Sequence, residues 1–204
     1  MSVKQGLLAL LAEEPMYGAR LRSEFEARTG GTWPLNIGQV YTTLARLERD
    51  GLVEPVGGPD VEGRISYRLT ELGRTAADAW WRTPVDRDST PRDELVIKLA
   101  LAVTSPGVDV AAVVQTQRTA TLTHLRDLTR LKASAPDEPN GHDLAWQLVL
   151  ESLLFNGEAE VRWLDHVEST LARHVGMPLS PVPAPADLPD VAQPRISSRK
   201  GARA

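Results

Sequence analysis

Residues 36–69, NIGQVYTTLARLERDGLVEPVGGPDVEGRISYRL, constrain this chain more than any other stretch. Ile37, Val40, Leu44 and Leu47 recur at spacings of three and four, so on a helix they share one face. Gln39, Thr42, Thr43 and Arg46 fall on the other side. Asn36 stands where an N-cap belongs, with Gln39 three residues on as in a capping box. Asp50-Gly51 ends the helix, with Gly51 at the left-handed position. Residues 52–56 then form a strand. Gly57-Gly58-Pro59-Asp60 is turn chemistry, in a loop extending to Gly63. Residues 64–69 alternate, with Ile65, Tyr67 and Leu69 on one side and Arg64, Ser66 and Arg68 on the other. A helix followed at once by a hairpin predicts a winged helix-turn-helix. The free face of its helix offers amides, hydroxyls and a guanidinium, which suit a DNA major groove.

The sequence before this stretch supplies what such a helix packs on. Residues 3–12 predict a short apolar helix with Leu7, Leu10 and Leu11 in one stripe and Leu8 widening it. Pro15 separates it from a second helix over 16–28, where Leu21 and Phe25 pair at i, i+4 beside Tyr17. Gly30-Gly31 stops that helix, and Trp33 is expected to plug the gap between helices. After the hairpin, Thr70 caps a fourth helix with Leu72, Ala76, Ala79 and Trp80 on one side.

The two prolines of TPVDRDSTP, 83–91, read as a linker. Residues 92–103 are apolar nearly all round, which predicts a central helix. A long amphipathic helix spans 108–132, a Pro-containing turn 134–140, and the longest helix about 142–175. That helix carries two stripes. One is Leu150, Leu154, Gly157, Val161, Leu164, Glu168, Leu171 and Val175. The other is Trp146, Val149, Leu153, Asn156, Glu160, Trp163 and Val167. Two apolar faces need two partners, and a second copy of the chain is the simplest second partner. Gly176 ends the helix. The Pro-rich 177–204 reads as a disordered tail with a loose basic tip at Arg195, Arg199, Lys200 and Arg203.

The fold class expected is therefore mainly α with a small β-hairpin wing. It has an N-terminal winged helix-turn-helix (1–82), a linker (83–91), a helical dimerisation and effector domain (92–176) and the tail.

Composition removes other classes. With no cysteine among 204 residues, disulfides, thiolate zinc sites and thiol catalysis are excluded. There is no signal-peptide pattern and no apolar run long enough to span a bilayer, so a cytoplasmic protein without membrane contact is expected. The four histidines (His124, His142, His166, His174) have no metal-ligand spacing. No phosphate-binding glycine loop and no nucleophile-and-base motif is present, so no catalytic residue, metal or cofactor is assigned. The net charge of −4 opposes nucleic-acid binding in bulk, yet local placement of positive charge decides that question.

At the third helix the sequence resembles a known family. YGARL, then IGQVYTTLARLERDGLVEP, then GRISYRLTELGR are similar to the PadR family of bacterial transcriptional regulators. Tyr-x-x-Leu-x-x-Leu-x-x-x-Gly-Leu, read in YTTLARLERDGL, is the specific part. The likeness covers residues 3 to 82. DELVIKLALA and the long last helix look like the virulence-activator type of C-terminal domain. The resemblance implies a winged-helix dimer that represses promoters and is released by a small ligand. It also implies that the third helix enters the major groove, that Tyr41 reaches the phosphate backbone, and that the wing touches the neighbouring minor groove or phosphates.

Each candidate has a plainer reading. The polar face of the third helix could be only solvated, Tyr41 a half-buried packing aromatic, and Arg64 and Arg68 an exposed strand face. For Trp80, Trp81, Trp146 and Trp163 packing is the plainer reading, and a pocket for a small aromatic or drug-like effector the sharper one. The function expected is a sequence-specific, dimeric, ligand-responsive repressor of double-stranded promoter DNA. Gln39, Thr42, Thr43 and Arg46 would read bases, and Tyr41, Arg64 and Arg68 would hold phosphates. The alternative is a helical ligand-sensing or protein-interaction module whose winged helix does not bind DNA.

Overall fold

The computed structural model describes residues 3–85, 92–134 and 141–174. Most of the linker expected over 83–91, most of the turn over 134–140, the stop at Gly176 and the tail over 177–204 lie outside them.

The first helix, α1 (Val3–Leu11), buries Leu7, Leu8, Leu10 and Leu11. The chain then enters a two-residue strand, β1 (Met16–Tyr17), before α2 (Gly18–Arg28). One helix over 16–28 was expected, and the structure corrects it. Met16 and Tyr17 pair antiparallel with Tyr67 and Ser66, residues some fifty positions away, and no local pattern reveals such pairing.

The connection to α3 (Ile37–Arg49) is held by Glu26, whose Oε1 accepts the Leu35 amide at 3.0 Å. That bond brings Leu35 into the core. Trp33 does not plug the gap between helices, since it stays exposed. Asn36 caps α3, its side chain accepting from the Gly38 amide at 2.8 Å. Val40, Leu44 and Leu47 are buried as the periodicity predicts, whereas Ile37, in the first turn, remains exposed. At the far end Gly51 adopts φ 70°, the left-handed conformation expected there. The Leu52 amide then closes on the Leu47 carbonyl at 2.8 Å.

The hairpin is β2 (Val53–Val56) and β3 (Ser66–Leu69), and β1 makes it a three-stranded antiparallel sheet in the order β1-β3-β2. Pro55 is accommodated because β2 is an edge strand. The fourth helix, α4 (Glu71–Arg82), starts at Thr70, whose hydroxyl accepts from the Gly73 amide at 3.1 Å and donates to the Gly51 carbonyl at 2.7 Å. Gly73 lies against the Leu52 carbonyl so closely that a Cβ there would stand 1.9 Å from its oxygen. The helix therefore turns Gly73 and Ala77 inward, while Leu72 and Ala79, expected on the packed side, are exposed.

Three further helices follow, α5 (Glu94–Thr104), α6 (Val110–Ala133) and α7 (Gly141–Arg173). The described residues form two compact units, one of 3–84 with 124–134 and 141–158, the other of 85, 92–123 and 159–174. In the first, α1 to α4 and the sheet close one core of Leu7, Leu8, Met16, Leu21, Leu35, Val40, Leu44, Leu47, Val53, Leu69 and their neighbours. In the second, Leu99, Val114 and Leu164 form a smaller core lined by Leu95, Val110, Val113, Trp163, Val167 and Leu171.

The helix α5 was expected to be central. Instead only Leu99 and Ala102 are buried, and Val96, Ile97, Leu101 and Val103 lie open. Along α7, Leu150 and Leu164 are fully buried, and most other members of the two stripes are partly covered. The open apolar face of α7 is a third one, Leu144, Leu148 and Phe155.

Candidate nucleic-acid interface

The amphipathic division of α3 builds the interface. With Val40, Leu44 and Leu47 turned into the core, the outward arc is Gly38, Thr42, Ala45, Arg46 and Arg49, flanked by Gln39 and Thr43 on one side and Tyr41 on the other. The Thr42 hydroxyl donates to the Gly38 carbonyl at 2.8 Å, and the Thr43 hydroxyl to the Gln39 carbonyl at 2.7 Å. Both donors are thus spent on the helix, and each threonine presents an acceptor oxygen and a methyl group. The outward donors are Gln39, Arg46 and Arg49. A donor amide, a donor guanidinium and methyl groups are the chemistry that distinguishes base-pair edges in the major groove. Gly38 and Ala45 keep the Tyr41 side of the arc low, which leaves room there for close approach of a flat edge.

Among the described residues no carboxylate pairs with Arg46. Arg49, absent from the residues chosen by sequence, lies one turn further on the same arc. Its side chain is 75% exposed and contacts Asp50 only at 3.5 Å. Its i+3 spacing from Arg46 and i+7 spacing from Thr42 could have found it.

Tyr41 lies across the first turn of α2. A Cβ at Gly18 would stand 2.7 Å from its ring, yet the residue keeps 46% of its surface exposed. Burial raises the pKa of neighbouring Tyr67 above the usual tyrosine value, with Glu48 and Tyr41 adding to the shift.

The two wing arginines differ from Arg46, because both are paired. Arg68 sits opposite Glu54 in the β2–β3 register and donates to it at 2.8 Å. Arg64 donates through Nε to Asp60 Oδ2 at 2.8 Å and meets Glu62 through Nη1 at 2.5 Å. Its guanidinium lies 4.5 Å from the centre of the Tyr17 ring. The Arg64 amide and guanidinium hold the Asp60 carboxyl below the usual aspartate range.

The four tryptophans occupy different surroundings. Trp80 and Trp81 adjoin at 4.5 Å with their rings tilted by 50°, and Trp81 is 68% exposed. Trp146 lies over Gly30 in the first unit. Trp163 packs on the Leu99, Val114 and Leu164 core of the second. Among the described residues no group of acidic or histidine side chains could hold a metal ion. No helix there is long and apolar enough to cross a membrane.

Residues 7–79 match the transcriptional regulator PadR-like family, and residues 91–172 match the virulence activator alpha C-terminal domain. The negative transcriptional regulator PadR of Bacillus subtilis (strain 168) is 24% identical over 173 residues, covering 81% of this chain and 94% of that protein. The crystal structure of Bacillus subtilis PadR in complex with operator DNA superposes with a TM-score of 0.61 at 22% identity, covering 84% of this chain and 99% of that chain. The structure of the Vibrio cholerae virulence activator AphA gives 0.62 at 22% identity, over 85% and 100%. Bacillus subtilis PadR in complex with p-coumaric acid gives 0.63 at 22% identity, over 83% and 98%. With a winged helix-turn-helix in the first matched segment and a helical region in the second, the chain carries a PadR-like family domain followed by a virulence-activator-type C-terminal domain, and is a DNA-binding transcriptional regulator.

Proposed function

We propose that this regulator is a homodimeric, ligand-responsive repressor in the cytoplasm that reads a near-palindromic promoter site through α3. The observation that carries the reading is the outward arc of α3, where Arg46, with no ion pair among the described residues, stands beside Gln39 and the methyl-bearing faces of Thr42 and Thr43. In this reading residues 1–82 read DNA and residues 92–176 pair the subunits and receive the effector, with 83–91 as the linker and 177–204 as a tail. The two family matches fall largely within those bounds. Gln39, Thr42, Thr43 and Arg46 contact base edges, and Tyr41 contacts phosphate, with Arg64 and Arg68 following from the wing. The dimer draws support from apolar side chains left open on two helices. These are Val96, Ile97 and Leu101 on α5, and Leu144, Leu148 and Phe155 on α7. Two heads joined in this way read two half-sites, which offsets the lack of net positive charge on one head, where residues 1–82 hold ten Lys and Arg against eleven Asp and Glu.

A structure of Bacillus subtilis PadR holds p-coumaric acid. A small planar aromatic acid or drug-like molecule is accordingly the effector class to test here, with Trp80, Trp81, Trp146 and Trp163 as candidate contacts. Such a ligand acts by binding two dimer states unequally.

Fluorescence anisotropy with duplex DNA from the region upstream of the chain's own gene tests the reading. Binding weakens with salt, and Arg46→Ala costs about 1–3 kcal/mol and relaxes preference at one base position. Absence of salt-dependent binding by the unaltered protein overturns it.

A further inference from the structure

The wing is less suited to DNA than the helix it follows. Between Val53 and Leu69 it carries three carboxylates, Glu54, Asp60 and Glu62, against two guanidiniums, Arg64 and Arg68. Both arginines are already paired within the hairpin. A phosphate approaching the wing must therefore take an arginine away from a carboxylate, and an exchange of one anion for another yields little net attraction.

The two carboxylates on Arg64 are not equivalent. Asp60 belongs to the frame of the loop, since its Oδ1 accepts the amides of Glu62 and Arg64, each at 2.9 Å. Its Oδ2 takes Arg64 Nε, and its own amide donates to the Arg64 carbonyl at 3.0 Å. Removing Asp60 undoes the turn. Glu62 reaches Arg64 by its side chain alone, across the 2.5 Å contact to Nη1, and that side chain is 63% exposed. Asp60 and the Tyr17 ring hold the guanidinium in place while Glu62 covers one of its edges.

We infer that Glu62 is a displaceable internal competitor for the phosphate position on Arg64, and that it lowers the wing's affinity for DNA of any sequence. Asp60 and Tyr17 are positioning residues that keep Arg64 aimed while it is covered. The consequence is weaker holding on correct and unrelated DNA alike. With the wing's phosphate contact offset, a larger share of the affinity at the correct site comes from base contacts by α3. This inference rests on the DNA-binding reading of α3.

The test is a double-mutant cycle read by anisotropy across a salt series. It uses the full-length protein, one duplex from upstream of its gene and one unrelated duplex of equal length. Glu62→Gln keeps the side-chain size and removes the competitor. It is expected to tighten binding to both duplexes by about three- to tenfold and to steepen the salt dependence by roughly 0.9 per phosphate engaged. The ratio between the two duplexes is kept, because the phosphate contact is blind to sequence, and thermal unfolding is unchanged. In an Arg64→Ala background the same substitution has no effect on affinity, because no guanidinium remains to be uncovered. Unchanged or weaker binding by Glu62→Gln overturns the inference. So does a gain that persists in the Arg64→Ala background, since that reports only the loss of one negative charge. If the unaltered protein binds neither duplex, the DNA-binding reading fails and takes this inference with it. If it binds and Glu62→Gln is silent, only the inference fails.

Discussion

The winged helix and the helices that follow it solve the burial problem differently. In the winged helix, the apolar faces of α1, α2 and α3 and of the sheet meet around one core, and Leu7, Leu8, Leu21, Val40 and Leu47 are wholly out of solvent. The later helices bury few side chains so completely. Val96, Ile97 and Leu101 on α5, Leu122 and Leu131 on α6, and Leu144, Leu148 and Phe155 on α7 stay open. Phe155 keeps 67% of its surface exposed and Leu101 61%. A DNA-reading head must be rigid before it meets DNA, because base readout depends on fixed side-chain placement. A pairing region, the role proposed for the later helices, must instead keep apolar surface for its partner. The same chain thus contains one region whose core is complete and one whose burial is left unfinished.

Three substitutions or conditions press on that contrast. The largest effect is expected at Leu47→Ala, which removes a fully buried side chain from the head and costs about 2–5 kcal/mol of stability. Thermal or denaturant unfolding reads it, and a loss well below this range would mean that the head is not the tightly packed region. Phe155→Glu together with Leu148→Glu is expected to leave helicity by circular dichroism intact. It should weaken self-association by roughly tenfold or more, measured by sedimentation and accompanied by weaker promoter binding. Equal loss of folding in the head and on these open faces would erase the difference between the regions.

The smallest effect is on acid stability. In the second unit Arg118 donates to Glu168 at 2.8 Å and to Asp165 at 2.6 Å. The Arg118 guanidinium holds the Glu168 carboxyl below the ordinary value of 4.5, with help from Gln115. A carboxyl whose pKa is lower folded than unfolded contributes stability above the unfolded value and loses it as pH falls through the folded value. Stability from this cluster is therefore flat near neutrality and declines below about pH 4. Glu168→Gln flattens that decline in an acid titration of unfolding. An acid limb as steep as that of the unaltered protein would assign the loss to carboxylates elsewhere.

Much of the head was legible because its determinants are local. The period of Val40, Leu44 and Leu47, the Asn36 and Thr70 caps and the left-handed Gly51 each concern residues within a turn of one another, and each appears in the structure. Readings failed where a residue's surroundings come from distant chain. Leu35, not Trp33, fills the core, because the Glu26 carboxylate accepts the Leu35 backbone amide and draws the connection inward. Leu72 faces solvent because Gly73 is the residue that fits beneath the Leu52 carbonyl. On α7, periodicity identified two stripes that the chain largely covers itself, and the open stripe was a third.

The candidate interface divides in the same way. Its membership along α3 follows from helical period alone, with Arg49 the omission. The state of its arginines does not. Arg46, Arg64 and Arg68 look alike as letters, yet Arg68 meets Glu54 across a strand pair and Arg64 lies between Asp60, Glu62 and the Tyr17 ring.

By itself the sequence determined the order of helices, the hairpin, the caps and the family, all of which rest on short-range geometry and on spacing. Tertiary structure alone decided that Met16 and Tyr17 form a third strand, which arginines are already paired, and which apolar faces stay open. Those outcomes depend on pairing and packing between residues far apart in the chain. There the free energy belongs to the contact, and neither partner's own sequence neighbourhood encodes it.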